Sequence, residues 1–240
     1  MVTSREARIS GTAVAGPDPS WSSLYRAGGL SGLLAGAIYI VAAILIFTTP
    51  PPPTLGGVAT LEYIAAHRSL YILKQILWLS PSVLAMVVFL ALYPALKQAN
   101  KSYAALGVVL GVSSWALSLA WPTTGEGAPA LVALSDQYAA ATTDAARTAF
   151  ATAAEVLIAT EAIPAAIGVL QTIGILVVSL VMVRSAFSKS VAYLGVATGA
   201  LGIVSEALLP LLGSAYAIYG MLVMVWFLVI GWQLYHLARD

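Results

Sequence analysis

Six long runs of apolar residues, separated by short polar segments, dominate the pattern of this 240-residue chain. Each run holds about 20 residues, and a helix of that length spans the roughly 30 Å hydrocarbon core of a bilayer. All six are predicted to be α-helices, because open strand edges in lipid would leave backbone groups without hydrogen bonds. The predicted spans are residues 28–47, 75–96, 103–121, 163–183, 191–212 and 215–237.

The segments between the runs differ in length, and this difference predicts the organisation of the chain. Residues 54–70 and 123–162 are long enough to form short helices, which are predicted to make a cap outside the cytoplasm. The short segment 97–102 must instead join adjacent antiparallel helices. Residues 1–23 lack the apolar run that a signal peptide needs and are predicted to be a disordered cytoplasmic tail. Residues 24–240 are then one membrane domain.

The distribution of Lys and Arg predicts that both chain ends lie in the cytoplasm. In that orientation eight basic residues are cytoplasmic and three are outside, as the positive-inside rule expects. The cytoplasmic set is Arg5, Arg8, Arg26, Lys97, Lys101, Arg184, Lys189 and Arg239, and the outer set is Arg68, Lys74 and Arg147. The predicted location is the inner (plasma) membrane, which the chain crosses several times.

Composition narrows the class of protein further. The chain is 60% hydrophobic and 9% charged, whereas soluble domains carry about 25% charged residues, so lipid must be the solvent for much of the surface. A net charge of +1 without a basic stripe argues against nucleic-acid binding. There is no cysteine, and the two histidines are predicted on opposite faces of the membrane, so no metal or cofactor is expected.

A repeated pattern of basic residues and glycines predicts how the helices pack. Eleven residues from Lys101 match eleven from Lys189 at seven positions, and Arg26 begins a third copy of the same base-and-glycine skeleton. Glycines four residues apart allow close helix approach, so three tandem helical hairpins are predicted. The alternative is that glycine-rich membrane helices resemble one another by composition alone. The predicted packing glycines are Gly28, Gly32, Gly36, Gly107, Gly111, Gly195, Gly199 and Gly202.

Glu206 is the one acidic residue within the predicted spans, and it lies about 9 Å from the outer end of the fifth span. A carboxylate at such a depth is costly and usually faces a partner or a water-filled cavity. We therefore predict a polar pocket that opens outward and is lined by Glu206, Lys74, Gln171, His67 and Arg68. The alternative is a buried ion pair that fixes the helix register.

The chain carries no recognised catalytic motif: HExxH, the P-loop and Gly-x-Ser-x-Gly are all absent from the sequence. This favours a non-enzymatic membrane protein, either an accessory or interaction subunit or a binder of lipid or a small apolar ligand. The alternative is a small transporter or channel in which Glu206 is a proton- or cation-linked site. The expected partners are membrane lipid and either further copies of the chain or a larger membrane complex.

Two short motifs carry a family resemblance. The first helix begins with the segment LYRAGGL at residues 24–30, and a short basic segment at 187–190 precedes Leu194 and Gly195. With a long loop after the third span, these features resemble a family of bacterial membrane proteins known only as a domain of unknown function. The resemblance covers about residues 24–237. It implies a six-helix fold and implies no activity.

Overall fold

The computed structural model describes residues 18–53, 56–122, 124, 127–159 and 162–239. Residues 1–17, which form most of the predicted tail, lie outside the described residues. Apart from one isolated bridge between Thr124 and Gly127, the regular structure of the described residues is helical, which confirms the all-α prediction. A helical turn at Pro19–Trp21 precedes the α-helices. They are α1 (Ser22–Thr48), α2 (Gly57–Ala66), α3 (Arg68–Leu79), α4 (Pro81–Ala120), α5 (Ala130–Ala140), α6 (Asp144–Ala159), α7 (Ala162–Met182), α8 (Lys189–Ala207), α9 (Leu209–Leu212) and α10 (Tyr216–Leu237).

Five helical stretches of the described residues are long and apolar enough to cross a membrane, which agrees with the predicted class of protein. They are Pro19–Thr48, Arg68–Ala120, Ala165–Met182, Lys189–Ala207 and Tyr216–Leu237. The second stretch has 53 residues and contains both the second and the third predicted span. The segment 97–102, predicted as a loop, is helical except at Asn100.

Asn100 divides α4 into two arms, residues 81–99 and 101–120. Its backbone is extended, with φ −162° and ψ 102°, and its side-chain oxygen accepts a hydrogen bond from the backbone N–H of Tyr103 at 3.1 Å. This is the geometry of an N-cap, so a new helix starts after Asn100. Phe89 of the first arm lies directly against Gly111 of the second arm. In a straight helix these residues would be about 33 Å apart, so the chain doubles back at Asn100.

A bundle is formed by α1, α3, the two arms of α4, α7, α8 and α10, and its long neighbours run antiparallel. Along the α7–α8 contact, Ser179 lies against Gly195 and Thr172 lies against Gly202. The residue numbers therefore fall along α7 as they rise along α8, which is the order of an antiparallel pair. The contacts of α1 with α10, of α8 with α10 and of α4 with α7 follow the same reversed order.

The centre of the bundle is an aromatic cluster that no solvent reaches. Trp226 and Phe227 of α10 are fully buried, and their rings meet at 5.1 Å. Phe89 of α4 lies 5.9 Å from Trp226, and Trp115 lies 5.7 Å from Phe227. Each such side chain buries 150–250 Å², so these contacts hold α4 against α10 across the bundle.

The helices α2, α5 and α6 pack against one another at one end of the bundle, and we call this group the cap. Leu61 and Ile64 of α2, Leu131 of α5 and Ala154 of α6 form a second, smaller apolar core with Tyr71 of α3. Polar contacts join the same helices: the Ser135 hydroxyl donates to the Leu61 carbonyl at 2.7 Å. The cap therefore has its own packed interior beside the bundle.

At the opposite end of the bundle, the start of the described chain is fixed to the turn between the arms of α4. Asp18 accepts hydrogen bonds from the hydroxyl and the backbone N–H of Ser20, and these bonds hold the pKa of Asp18 below its ordinary value. Lys97 lies 3.4 Å from the Asp18 carboxylate and 5.2 Å from the ring centroid of Trp21. This end also carries most of the basic residues.

Candidate functional site

Glu206 lies in the last turn of α8, at the same end of the bundle as the cap, and is only 6% exposed. The fifth predicted span, 191–212, is shorter in the structure, because α8 ends at Ala207 and the backbone of Leu208 leaves helical geometry. Glu206 is thus near the end of its helix while its side chain points into the interface with α7 and α10. The hydroxyl of Tyr216 donates a hydrogen bond to its Oε1 at 2.8 Å.

A tight turn brings Tyr216 to this position. Gly213 has a φ of +51°, a left-handed conformation that glycine adopts without strain, and α10 begins three residues later. Tyr219 follows one helical turn after Tyr216, and the two rings meet edge to face at 5.5 Å. The Tyr219 hydroxyl interacts with the same Glu206 carboxyl group. Two phenol hydroxyls from one helix face therefore meet the carboxyl group of another.

The α7 side of the site is shaped by small residues. Gly168 lies directly under the Glu206 carboxyl group, and a side chain at this position would overlap it. One turn later the methyl group of Thr172 fills the space beside Gly202 of α8. The Thr172 hydroxyl already donates to the carbonyl of Val169 at 2.9 Å. The carboxyl group therefore occupies a niche that exists because position 168 has no side chain.

The other residues of the predicted pocket have partners elsewhere. Arg68 forms an ion pair with Asp136 at 2.9 Å, and His67 stacks on Tyr63 with ring centroids 4.5 Å apart. Arg68, Asp136 and His67 are exposed and Tyr63 is half-buried, and both pairs belong to the cap end. Glu206 instead takes its partners from α10 and α7, so the described contacts do not assemble the predicted pocket around it.

The two remaining pocket residues lie on different helices. The Gln171 amide, on α7, donates to the Ser118 hydroxyl on the second arm of α4 at 2.7 Å. Lys74 is 4% exposed on α3. These placements follow from helix order, because α3 packs on α1 and α4, whereas α8 packs on α7 and α10.

A second site that the sequence did not reveal is a cavity of about 320 Å³ between α3, the second arm of α4 and α5. Its walls are apolar except for Gln75 and Ser80. The lining residues are Ile72, Gln75, Ile76, Leu79, Ser80, Leu119, Pro129 and Val132. Its volume is at the lower end of the range for ligand pockets, about 300–1,000 Å³. Since the walls come from three separate parts of the chain, no local motif marks it.

Gln75 is one of the two polar residues among those that line this cavity. The residue is 3% exposed, and its Oε1 accepts a hydrogen bond from the Thr124 hydroxyl at 3.2 Å. Its Nε2 is buried and has no hydrogen-bond partner among the described residues. Burying an amide N–H without a partner costs about 1–3 kcal/mol, so an acceptor supplied by a ligand would recover that energy.

The eight predicted packing glycines all lie against a neighbouring helix. Gly28 faces the first arm of α4, while Gly32 and Gly36 face α10. In the second arm of α4, Gly107 lies against α7, and Gly111 lies against Phe89 and Gly174. In α8, the three glycines lie against residues 172–179 of α7, two of them also against α10; they are Gly195, Gly199 and Gly202.

The described residues offer little for metal chemistry. Among them no group of three or more His, Asp or Glu side chains is arranged to hold a metal ion. The buried carboxyl group of Glu206 has tyrosine hydroxyls beside it, which are weak acids. The chemistry that these side chains support is hydrogen bonding and proton binding.

Comparisons with known proteins give no match to this chain. No family model matches it, and neither the curated proteins nor the solved structures contain a significant relative. The function must therefore be argued from the two sites themselves.

Proposed function

We propose that this chain is an integral membrane protein with six spans that binds a lipid-like ligand in the cavity beside Gln75. The span count is supported by the length of Arg68–Ala120. As a straight helix these 53 residues would extend about 80 Å, more than twice the hydrocarbon thickness. The reversal at Asn100 lets the segment cross twice, which makes three tandem hairpins.

The proposed orientation puts the cap outside and both chain ends inside, in the inner (plasma) membrane. It is supported by the basic residues of the end that carries Asn100: Arg26, Lys97, Lys101, Arg184, Lys189 and Arg239. The cap end has Arg68, Lys74 and Arg147. An excess of Lys and Arg in short loops marks the cytoplasmic side.

The ligand proposal is carried by the largely apolar cavity, at whose wall the Nε2 of Gln75 is buried without a hydrogen-bond partner among the described residues. In the proposed topology the cavity is in the outer leaflet, just below the cap. Ile76 and Leu119, at its edge, are 57% and 37% exposed, so the cavity opens toward the surrounding lipid. A ligand from the bilayer could enter sideways without crossing water.

The chemistry of the walls defines the class of ligand. An acyl chain would fill the apolar part, and an ester or acid carbonyl near the headgroup would accept the N–H of Gln75. Because the polar lining residues, Gln75 and Ser80, are uncharged, the ligand is recognised by its chain and carbonyl rather than by a headgroup charge. Phospholipids, lysophospholipids and fatty acids share this chemistry.

Native mass spectrometry of the delipidated protein, titrated with palmitoyl lysophosphatidylglycerol, tests the ligand proposal. We expect one tightly retained lipid on the unaltered chain. Gln75→Leu should weaken its binding by about three- to tenfold, since one hydrogen bond is lost. Leu119→Trp should abolish it by filling the cavity. Gln171→Leu is the matched control, because it removes an amide outside the cavity and should leave binding unchanged.

Two outcomes would overturn the proposal. One is lipid retention that is the same in the unaltered chain, Gln75→Leu and Leu119→Trp, which would locate the lipid on the general surface of the bundle. The other is equal weakening by Gln75→Leu and Gln171→Leu, which would indicate a general effect of amide loss on the fold.

A further inference from the structure

The Glu206 carboxyl group is a buried acid whose neighbours are almost all neutral. On α10 it meets Tyr216 and Tyr219. On α7 the facing positions are Gly168 and Thr172, which do not titrate. On α1, Tyr39 stands near the two tyrosines. Among the described residues, no lysine, arginine or histidine acts on this carboxyl group.

We propose that Glu206 is a proton-binding site within the bundle, occupied by a proton when the helices are packed as in this structure. The proposal is independent of the lipid cavity, which lies on α3, α4 and α5. A carboxylate on a residue that is only 6% exposed, with no positive partner among the described residues, costs several kcal/mol, whereas the neutral acid avoids most of that cost.

The hydrogen bonds of the site suit the neutral acid. A protonated carboxyl group has one O–H donor and keeps acceptor capacity on its other oxygen. The Tyr216 hydroxyl donates to Oε1 at 2.8 Å, which leaves Oε2 to carry the proton. The Tyr219 hydroxyl, on the same side, can then accept that proton's hydrogen bond or donate its own.

The size of the niche selects a proton over a larger cation. A Cβ added at Gly168 would lie 2.6 Å from Oε1 of Glu206, so no methyl-sized group fits between the carboxyl group and α7. A metal ion would need several oxygen ligands around it, and the described residues place only the two phenol oxygens beside the carboxyl group. A proton needs no added volume.

Tyr216 provides the route for proton exchange. It is half-buried, whereas Glu206 and Tyr219 are buried, and it stands at the first residue of α10 beside the turn that holds Gly213. Its hydroxyl therefore links the buried carboxyl group to a side chain that is partly exposed at the cap end. Loss of the proton would put an unpaired charge in the interface of α7, α8 and α10, and would weaken the contacts that hold α8 in place.

Infrared difference spectroscopy on the lipid-free protein in detergent tests this proposal, because a protonated carboxyl group has a C=O stretching band that a carboxylate lacks. We expect one such band at neutral pH that disappears in Glu206→Gln. Tyr216→Phe should keep the band and shift it to higher frequency, since the hydrogen bond to Oε1 is lost. Glu62→Gln, which changes an exposed acid of the cap, should leave the band unchanged.

The proposal fails if no protonated-acid band at neutral pH depends on Glu206. It also fails if Tyr216→Phe leaves the frequency of that band unaltered. If Glu206→Gln does not fold, the band frequency in Tyr216→Phe alone tests the proposal. A shift to higher frequency supports it, and an unaltered frequency overturns it. Because no lipid is present, a negative result here leaves the ligand proposal standing, and loss of lipid binding in Gln75→Leu leaves this one standing.

Discussion

Gly168 is the residue on which the packing around Glu206 depends most directly. In Gly168→Ala, the new methyl group would overlap the carboxyl group of Glu206. We expect a loss of about 1 kcal/mol in the free energy of unfolding, because the carboxyl group at the end of the Glu206 side chain must move aside and give up its hydrogen bond from Tyr216. The measurement is thermal unfolding in one detergent.

Gly220→Ala is the matched control for this substitution. Gly220 lies in α10 with no atom of another residue near its added Cβ, and alanine favours a helix interior by up to about 1 kcal/mol. Gly220→Ala should therefore be neutral or stabilising. Equal stability of the two variants would show that the close contact between α7 and α8 does not exist.

At the residue scale, the sequence identifies Glu206 as a candidate site residue but does not identify the residues that contact its carboxyl group. An acid in a long apolar run is conspicuous, so Glu206 could be found directly. Its true neighbours, Tyr216 and Tyr219, depend on how tightly the chain turns at Gly213, and local sequence does not set that register. Opposite charge suggests that basic residues of the outer side pair with Glu206, whereas Arg68 pairs with Asp136.

At the level of the helices, the turn within α4 depends on Asn100, because its side chain caps the second arm. Asn100→Ala removes the side-chain bond to the N–H of Tyr103, and we expect it to cost about 0.5–2 kcal/mol. Asn100→Asp retains an acceptor, so the stability that it loses should be only a few tenths of the loss in Asn100→Ala. Chemical unfolding in mixed micelles measures both. If both variants lost the same stability, the side chain would have no capping role.

The cap helices are held by a buried hydrogen bond more than by their surface ion pair. Ser135→Ala removes a buried hydrogen bond to the carbonyl of Leu61, at a cost of about 0.5–1.5 kcal/mol. Asp136→Asn breaks a pair whose side chains are 47% and 55% exposed, which is worth at most about 1 kcal/mol.

Hydrogen exchange of peptides from α2 and α5, followed by mass spectrometry, compares these neighbouring substitutions. Faster exchange in Ser135→Ala than in Asp136→Asn is the expected result. The reverse order would mean that the ion pair holds α2 and α5 together.

At the element scale, apolar run length predicted where most long helices lie, because burial in lipid demands it. The ends were less predictable. The fifth span ends at Ala207 rather than 212, since Leu208 leaves helical geometry. The predicted connection at 97–102 is reduced to the single residue Asn100, because a capping side chain can start a new helix at once.

At the scale of the whole molecule, the glycine pattern was a better guide than charge. Each predicted packing glycine lies at a helix contact, because close approach requires a missing side chain. The cavity beside Gln75 could not be predicted, since its walls come from α3, α4 and α5 and meet only after folding. The same is true of the Glu206 niche, which needs Gly168 of another helix.

The absence of cysteine makes the proposed topology directly measurable, because single cysteines can be introduced without removing any. Glu62, Ser102 and Thr148 are exposed and lie in α2, in the second arm of α4 and in α6. Labelling of Glu62→Cys, Ser102→Cys and Thr148→Cys with an impermeant maleimide, before and after membrane permeabilisation, reports the side of each residue.

The six-span account predicts that Glu62→Cys and Thr148→Cys are labelled in intact cells, whereas Ser102→Cys is labelled only after permeabilisation. If Arg68–Ala120 crossed the membrane once, residues 62 and 148 would lie on opposite sides. That result would contradict the reversal at Asn100 as a membrane hairpin, and with it the outer-leaflet position of the cavity.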